Sequence, residues 1–142
     1  MAKVDDVAAA LIERVGPMPA MKLQKLVYYC QAWHLVWEGK ALFSASTQAW
    51  ANGPVVPMLY RQHRGDFWVQ DWPSGDRNAL RQSEVSTVEA IVGHYGDKEA
   101  SWLSDLTHRE DPWRDARAGQ APGERGHTLI TTSAMFDYYS QL

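Results

Sequence analysis

Residues 19–38 read PAMKLQKLVYYCQAWHLVWE, and this stretch decides the fold. Its apolar side chains do not form a single stripe but cover most of the circumference that a helix would have. A helix that is apolar on nearly all sides is buried within its domain. Gly39 follows at the position where a left-handed cap ends a helix. The sequence therefore predicts a buried central helix that ends near Glu38.

Shorter helices and two extended segments are predicted around this central helix. Apolar residues at helical spacing indicate the helices, and their expected starting points are Asp5 or Asp6, Pro54, Ser86, Asp97, Asp111, and Thr132 or Ser133. Short strands are predicted within 42–51 and 128–131, and polar loops at 66–83 and 118–126. The predicted fold is mainly α: a compact multi-helix single domain spanning residues 1–142, with at most a small two- or three-stranded β element.

The composition is that of a globular domain of 142 residues, with 45% hydrophobic and 22% charged side chains. Fourteen basic and seventeen acidic residues give a net charge of −3, so no domain-wide basic field exists to hold a nucleic acid. A single cysteine excludes an internal disulfide, and the N-terminus lacks a signal-peptide pattern. We expect a cytoplasmic protein that neither binds nucleic acid nor crosses a membrane.

Residues that could carry catalysis or hold a metal are sparse. Cys30 lies within the apolar central helix, where a buried and unreactive thiol is expected. Ser104, His108 and Asp111 have the residue types of a hydrolase triad, but no nucleophile-elbow glycines flank the serine. The five histidines show no metal-ligand spacing, and no phosphate-binding glycine loop occurs. We expect no enzyme activity, no metal and no cofactor, with the Ser104 triad as the alternative.

The seven tryptophans favour protein binding instead. A domain of this size has limited interior, and Trp and Tyr with Arg are the preferred anchors of protein interfaces. The tryptophans of the polar loop 66–83 are expected to be exposed, next to a basic helix end that is expected to be solvated rather than to stack nucleic-acid bases. The predicted partner-binding residues are Tyr60, Arg61, Arg64, Trp68 and Trp72.

Three segments carry a family resemblance: KLQKLVYYCQAWH at 22–34, LF at 42–43 with AWANGPVVPMLY at 49–60, and LSDLTHREDPW at 103–113. Over about residues 4–140 the chain resembles the Panacea domain, also described as SocA-like or phage-associated GepA-type. Because members of this family face unrelated toxins, the shared residues are expected to build the scaffold. They are Leu23, Lys25, Leu26, Tyr28, Tyr29, Trp33, Trp50, Gly53, Pro54, Val55, Leu106, His108, Pro112 and Trp113.

The resemblance implies the antitoxin half of a bacterial or prophage toxin–antitoxin system. The implied partner is a cognate protein toxin encoded by the adjacent gene, which the antitoxin neutralises by direct contact. Two alternatives are delivery of the toxin to an ATP-dependent protease and a phage-borne counter-defence role, and a homodimer is left open. Partner choice is expected in the loops at 66–83 and 118–126.

Lys25 is the most surprising charge of the central helix, because it lies among apolar residues. A lysine rarely enters a core unpaired. Its side chain is therefore expected either to reach the surface or to pair with a carboxylate of the third motif, where Asp105, Glu110 and Asp111 are the candidates. Such a pair would fix the first motif to the third.

Overall fold

The structure, a computed structural model, describes all 142 residues, and 54% of them are helical. Seven helices and five short strands follow one another along the chain. They are α1 (Val4–Val15), β1 (Met18–Pro19), α2 (Ala20–Glu38), β2 (Thr47–Trp50), β3 (Gly53–Val55), α3 (Pro57–His63), β4 (Trp68–Val69), α4 (Gln82–Tyr95), α5 (Ala100–Arg109), α6 (Asp111–Ala116), β5 (Leu129–Ile130) and α7 (Thr132–Tyr139). The mainly α fold with a small β element is confirmed.

The central helix is α2, which contacts α1, α4, α5 and α7. Every residue from Leu23 to Ala32 is buried, as expected for a helix that is apolar around most of its circumference. Gly39 ends the helix in the left-handed conformation, with φ of 70°, and its N–H donates to Leu35 O at 3.0 Å. The predicted central helix and its glycine cap are both present.

Two glutamines of α2 hold the extended segments against the helix. The side-chain oxygen of Gln24 accepts from Val56 N–H at 2.8 Å, and its Nε2 donates to Val56 O at 3.3 Å. Gln31 accepts from Leu42 N–H at 2.7 Å and donates to Phe43 O at 2.8 Å. These backbone groups lie outside the five strands, and the two buried amides supply them with hydrogen-bond partners.

The β structure consists of two small antiparallel sheets. In the larger sheet β2 lies between β3 and β5, with Trp50 opposite Gly53 and Gln48 opposite Leu129. In the smaller sheet β1 pairs with β4. Strands occur within both predicted extended segments, but each is shorter than the segment.

The prediction that a helix begins at Pro54 is wrong. Pro54 lies in β3 opposite Ala49, and α3 begins three residues later at Pro57. The turn at Asn52 and Gly53 folds the chain back onto β2, so Pro54 continues a hairpin, and Pro57 takes the helical position at which a missing N–H costs nothing.

Four other helices begin at positions different from those predicted. The first is α1, which starts at Val4 and thus before the predicted starting points Asp5 and Asp6. α4 starts at Gln82, where Arg81 N–H donates to Glu84 Oε1 at 2.7 Å, rather than at Ser86. α5 starts at Ala100 rather than near Asp97. The cap of α7 is Thr131, whose hydroxyl accepts from Ala134 N–H at 3.0 Å. Neither Arg81 nor Glu99, which precede α4 and α5, is a residue that favours the N-cap position, so capping preference did not reveal where these two helices begin.

Glu110 joins the start of α6 to α2 and α7 through two buried tyrosines. Tyr29 and Tyr139 both donate from their hydroxyls to Glu110 Oε1, at 2.6 and 2.7 Å. Tyr28 extends the network, since its hydroxyl lies 3.1 Å from that of Tyr139. Burial raises the pKa of Glu110, and the two tyrosine hydrogen bonds oppose that shift.

Lys25 neither reaches the surface nor pairs with a carboxylate. Its side chain is 1% exposed, and none of the four ion pairs of the protein includes it. Glu110 is engaged by tyrosines and Asp111 pairs with Arg114, so the predicted pairing with the third motif is wrong. Burial lowers the pKa of Lys25 to about 8, because no nearby negative charge offsets the loss of hydration.

Replacing Lys25 by Met should remove a pH dependence of stability. The folded chain releases the Lys25 proton near pH 8 and the unfolded chain near 10.5, so the unfolded chain binds more protons between these values. From pH 8 to 10 the stability of wild type should therefore rise by about 2 kcal/mol relative to that of Lys25→Met, because the buried tyrosines and cysteine titrate alike in both proteins and cancel in this difference. Urea unfolding at several pH values measures this. Lys40→Met, at an exposed position, should behave like wild type, and equal pH profiles for all three proteins would contradict the prediction.

Replacing Glu110 by Ala should destabilise the protein by about 2 to 3 kcal/mol, because two buried tyrosine hydroxyls lose their acceptor. Glu110→Gln keeps an acceptor oxygen and should therefore lose clearly less stability than Glu110→Ala. The exposed Glu124→Ala is the matched control and should unfold like wild type. Thermal or urea unfolding gives the three values. Equal losses for the Ala and Gln variants would show that the hydroxyl acceptor is not what matters.

Candidate functional site

Two adjacent aromatic side chains are exposed where β4 begins. Phe67 is 80% exposed and Trp68 is 50% exposed. Because side chains alternate along a strand, Val69 points into the core while Trp68 points out. The backbone here is held by the pairing of β4 with β1 and by Ala20 N–H, which donates to Phe67 O at 2.8 Å. The aromatic pair is thus exposed on a fixed backbone.

The expected exposure of Trp72 is wrong. Its side chain is only 7% exposed, and its indole N–H donates to Asp5 Oδ1 at 2.8 Å. The backbone N–H of Asp76 likewise donates to Asp6 Oδ1 at 2.8 Å. The acidic start of α1 therefore holds the loop 66–83 in place, and Trp72 is its buried anchor.

The three predicted residues in α3 and at its C-cap, Tyr60, Arg61 and Arg64, lie in two different environments. Arg61 and Arg64 are exposed and take part in no ion pair. Tyr60 is half-buried, with its ring edge-on to Trp50 at 4.7 Å between centroids. The exposed members, Arg61 and Arg64, lie within seven residues of the aromatic pair in sequence.

Two further exposed apolar residues belong to this region and were not predicted as site residues. They are Phe67 and Met58, the latter 49% exposed and one helical turn before Arg61. Their signal in the sequence was an apolar side chain beside arginines in a polar context. We define the α3–β4 surface as Met58, Arg61, Arg64, Phe67 and Trp68.

The residues of the three sequence motifs meet in the interior rather than on this surface. The Trp113 indole donates to Trp50 O at 2.8 Å, which joins α6 to β2. Gly53 approaches α2 so closely that a Cβ there would lie 2.4 Å from Lys25 Cε, and its φ of 130° favours glycine. The first, second and third motifs therefore contact one another around α2.

The three residues considered for catalysis do not form a triad. The Ser104 hydroxyl donates to Asn52 O at 2.6 Å and not to a histidine. His108 stacks on Trp113 at 3.9 Å between centroids, and burial lowers its pKa. Cys30 is fully buried, which raises the pKa of its thiol. No group of three or more metal-binding side chains occurs, and no helix is both long and apolar enough to span a bilayer.

Comparison with known proteins gives one match. The family model described as antitoxin SocA-like, Panacea domain, matches residues 23–114, which is well over half of the chain and runs from α2 to α6. No curated protein and no solved structure matches the chain. The matched range contains the second and third sequence motifs, the first motif from Leu23 onward, and the whole α3–β4 surface. This chain therefore belongs to the antitoxin SocA-like, Panacea domain family.

Proposed function

We propose that this protein is an antitoxin that neutralises a cognate protein toxin by binding it directly through the α3–β4 surface. The family supports an antitoxin-like role and a partner protein in general. The observation that favours this surface is the exposed pair Phe67 and Trp68, held on a backbone that is paired with β1. The toxin is the product of the adjacent gene in this proposal.

The chemistry of the surface suits a protein interface. Aromatic side chains and arginines carry most of the binding energy in interfaces, and here they lie within a few residues of one another. Exposed Trp and Phe on a fixed backbone lose little conformational freedom on binding, so more of the contact energy remains as affinity. Two unpaired arginines, Arg61 and Arg64, add positive charge that would attract an acidic partner surface.

Neutralisation by binding needs no catalytic step, and the proposal includes none. The side chain best placed by sequence to act as a nucleophile, Ser104, is hydrogen-bonded to a backbone carbonyl. The buried thiol of Cys30 is out of reach of any substrate. Both observations support a protein that acts through its surface.

The double variant Phe67→Ala, Trp68→Ala should lose at least about 10-fold in affinity for the product of the adjacent gene, since each exposed anchor contributes about 1 to 2 kcal/mol or more. Its stability should stay close to that of wild type, because both side chains are largely exposed. Calorimetry gives the affinity, and growth on co-expression of the two genes gives neutralisation. Trp102→Ala, at a tryptophan that is 43% exposed on α5, is the matched control and should bind like wild type.

Unchanged affinity of the folded double variant would show that the α3–β4 surface is not the binding site. Failure of the wild-type protein to bind or neutralise the adjacent gene product would contradict the proposed function itself. Growth rescue accompanied by loss of the toxin from the cell, without a stable complex, would replace neutralisation by binding with delivery to a protease.

A further inference from the structure

A cleft of about 420 Å³ lies beside α3, and its lining carries basic but no acidic side chains. It is bordered by the N-terminal turn of α2, the turn between β2 and β3, the helix α3 and the segment before β5. Its polar and aromatic lining residues are Trp50, Asn52, Tyr60, Arg64, Arg125 and His127. No aspartate or glutamate is among its lining residues, although acidic residues outnumber basic ones in the chain.

Two other clefts of similar volume do have acidic side chains in their lining. One of about 410 Å³ is lined by Glu13, Asp71 and Asp76 beside a single arginine. The other, of about 450 Å³, is lined by Asp66 and Asp71 and contains no arginine or lysine. Volume therefore does not distinguish the three clefts, whereas the absence of carboxylates distinguishes the first.

Two buried cations without carboxylate partners lie next to this cleft. Lys25 follows the lining residue Met21 by one turn of α2, and its ammonium approaches Gly53, which follows Asn52 in sequence. Arg117 is 6% exposed and belongs to no ion pair. Uncompensated charge in a poorly hydrated setting acts over several ångströms, so both residues make the cleft more attractive to an anion.

Arg117 also fixes the segment that supplies one side of the cleft. Its guanidinium donates to Glu124 O at 2.7 Å and to Ala121 O at 3.2 Å, and it reaches Ala49 O on β2 at 3.4 Å. Glu124 immediately precedes Arg125, so the backbone that carries the Arg125 side chain is tied to the sheet. A site whose backbone is already ordered loses less freedom when a ligand binds.

Aromatic rings form another part of the wall. Trp50 lies edge-on to Tyr60 at 4.7 Å and to His127 at 6.0 Å between centroids. The Trp50 indole is itself fixed, since its N–H donates to Gln48 Oε1 at 2.8 Å. Rings held in this way offer a surface to a flat, apolar group.

We propose that this cleft binds a small molecule in which an anionic group is carried on an aromatic ring system, with Arg64 and Arg125 contacting the anion. The volume lies in the range of small-molecule sites. Arginine is suited to phosphate and carboxylate, since its planar donors can bind either in pairs. A nucleoside monophosphate and an aromatic carboxylate share this chemistry. The inference does not depend on toxin neutralisation, because it concerns the isolated chain.

The test is calorimetric titration of the isolated protein with four probes at low salt: adenosine monophosphate, adenosine, indole-3-acetate and inorganic phosphate. We expect adenosine monophosphate or indole-3-acetate to bind at least about 10-fold more tightly than both adenosine and inorganic phosphate. Tighter binding of adenosine monophosphate identifies a nucleotide ligand, and tighter binding of indole-3-acetate identifies an aromatic carboxylate. Absence of binding by both, or equally tight binding of inorganic phosphate, would overturn the proposal.

Two arginine variants place the binding in the cleft. Arg125→Ala should lower the affinity for the tighter-binding probe at least about 10-fold, as is usual when a charge-assisted hydrogen bond is lost. The unfolding temperature of this variant should stay unchanged, because Arg125 is exposed. Arg109→Ala removes the same charge from an exposed position on α5 that does not line the cleft, and should bind like wild type. Equal affinity of wild type and Arg125→Ala would show that the binding occurs elsewhere and would overturn the proposal.

Discussion

The burial of α2 from Leu23 to Ala32 is the constraint on which the rest of the structure depends. Buried polar groups need hydrogen-bond partners, so three polar side chains of this stretch each bind a neighbouring segment, whereas Lys25 is buried without a carboxylate partner. Gln24 binds the backbone of Val56, Gln31 binds Leu42 and Phe43, and Tyr29 binds Glu110. Three stretches that are far apart in sequence are thereby placed around one helix, and these are the stretches that carry the second and third motifs.

The same helix positions the exposed aromatic pair. The first residue of α2, Ala20, donates its N–H to Phe67 O, and the strand just before the helix pairs with β4. The N–H groups of the first turn of a helix have no hydrogen-bond partner within the helix. A donor at this position can therefore bind a backbone carbonyl of another segment. Phe67 and Trp68 are consequently attached to the most deeply buried element of the molecule while their side chains face outward. A binding surface anchored in this way is ordered before a partner arrives.

The features that could be predicted from the sequence are those that depend on residues close together in the chain. The α2 helix depends on its apolar pattern, and its cap depends on the backbone freedom of Gly39. Both are properties of residues close together in sequence. The burial of Trp72 depends on Asp5, which lies 67 positions away, and the helix start at Pro57 depends on a hairpin formed with β2. The isolation of Lys25 could not be predicted either, because it depends on distant contacts: Glu110 and Asp111 are engaged by other side chains, and Asp105 is exposed. Phe67 was missed because it lies just before the two-residue strand β4, in a loop where no periodic pattern indicates which apolar side chains face the solvent.

The range matched by the family model includes one part of the cleft lining and leaves out another. Trp50 and Tyr60 lie inside residues 23–114, whereas Arg125 and His127 lie outside them. The aromatic wall is thus built by the motif that also forms the β2–β3 hairpin and α3, and it is fixed by the same contacts that stabilise the fold. Arg125 is carried by a loop that Arg117 holds through backbone carbonyls, whereas Arg64, the other arginine of the proposed site, lies inside the matched range at the end of α3. In the proposed binding mode the aromatic rings Trp50 and Tyr60 and the Arg64 contact therefore belong to the matched scaffold, and the Arg125 contact with the anion comes from the segment before β5.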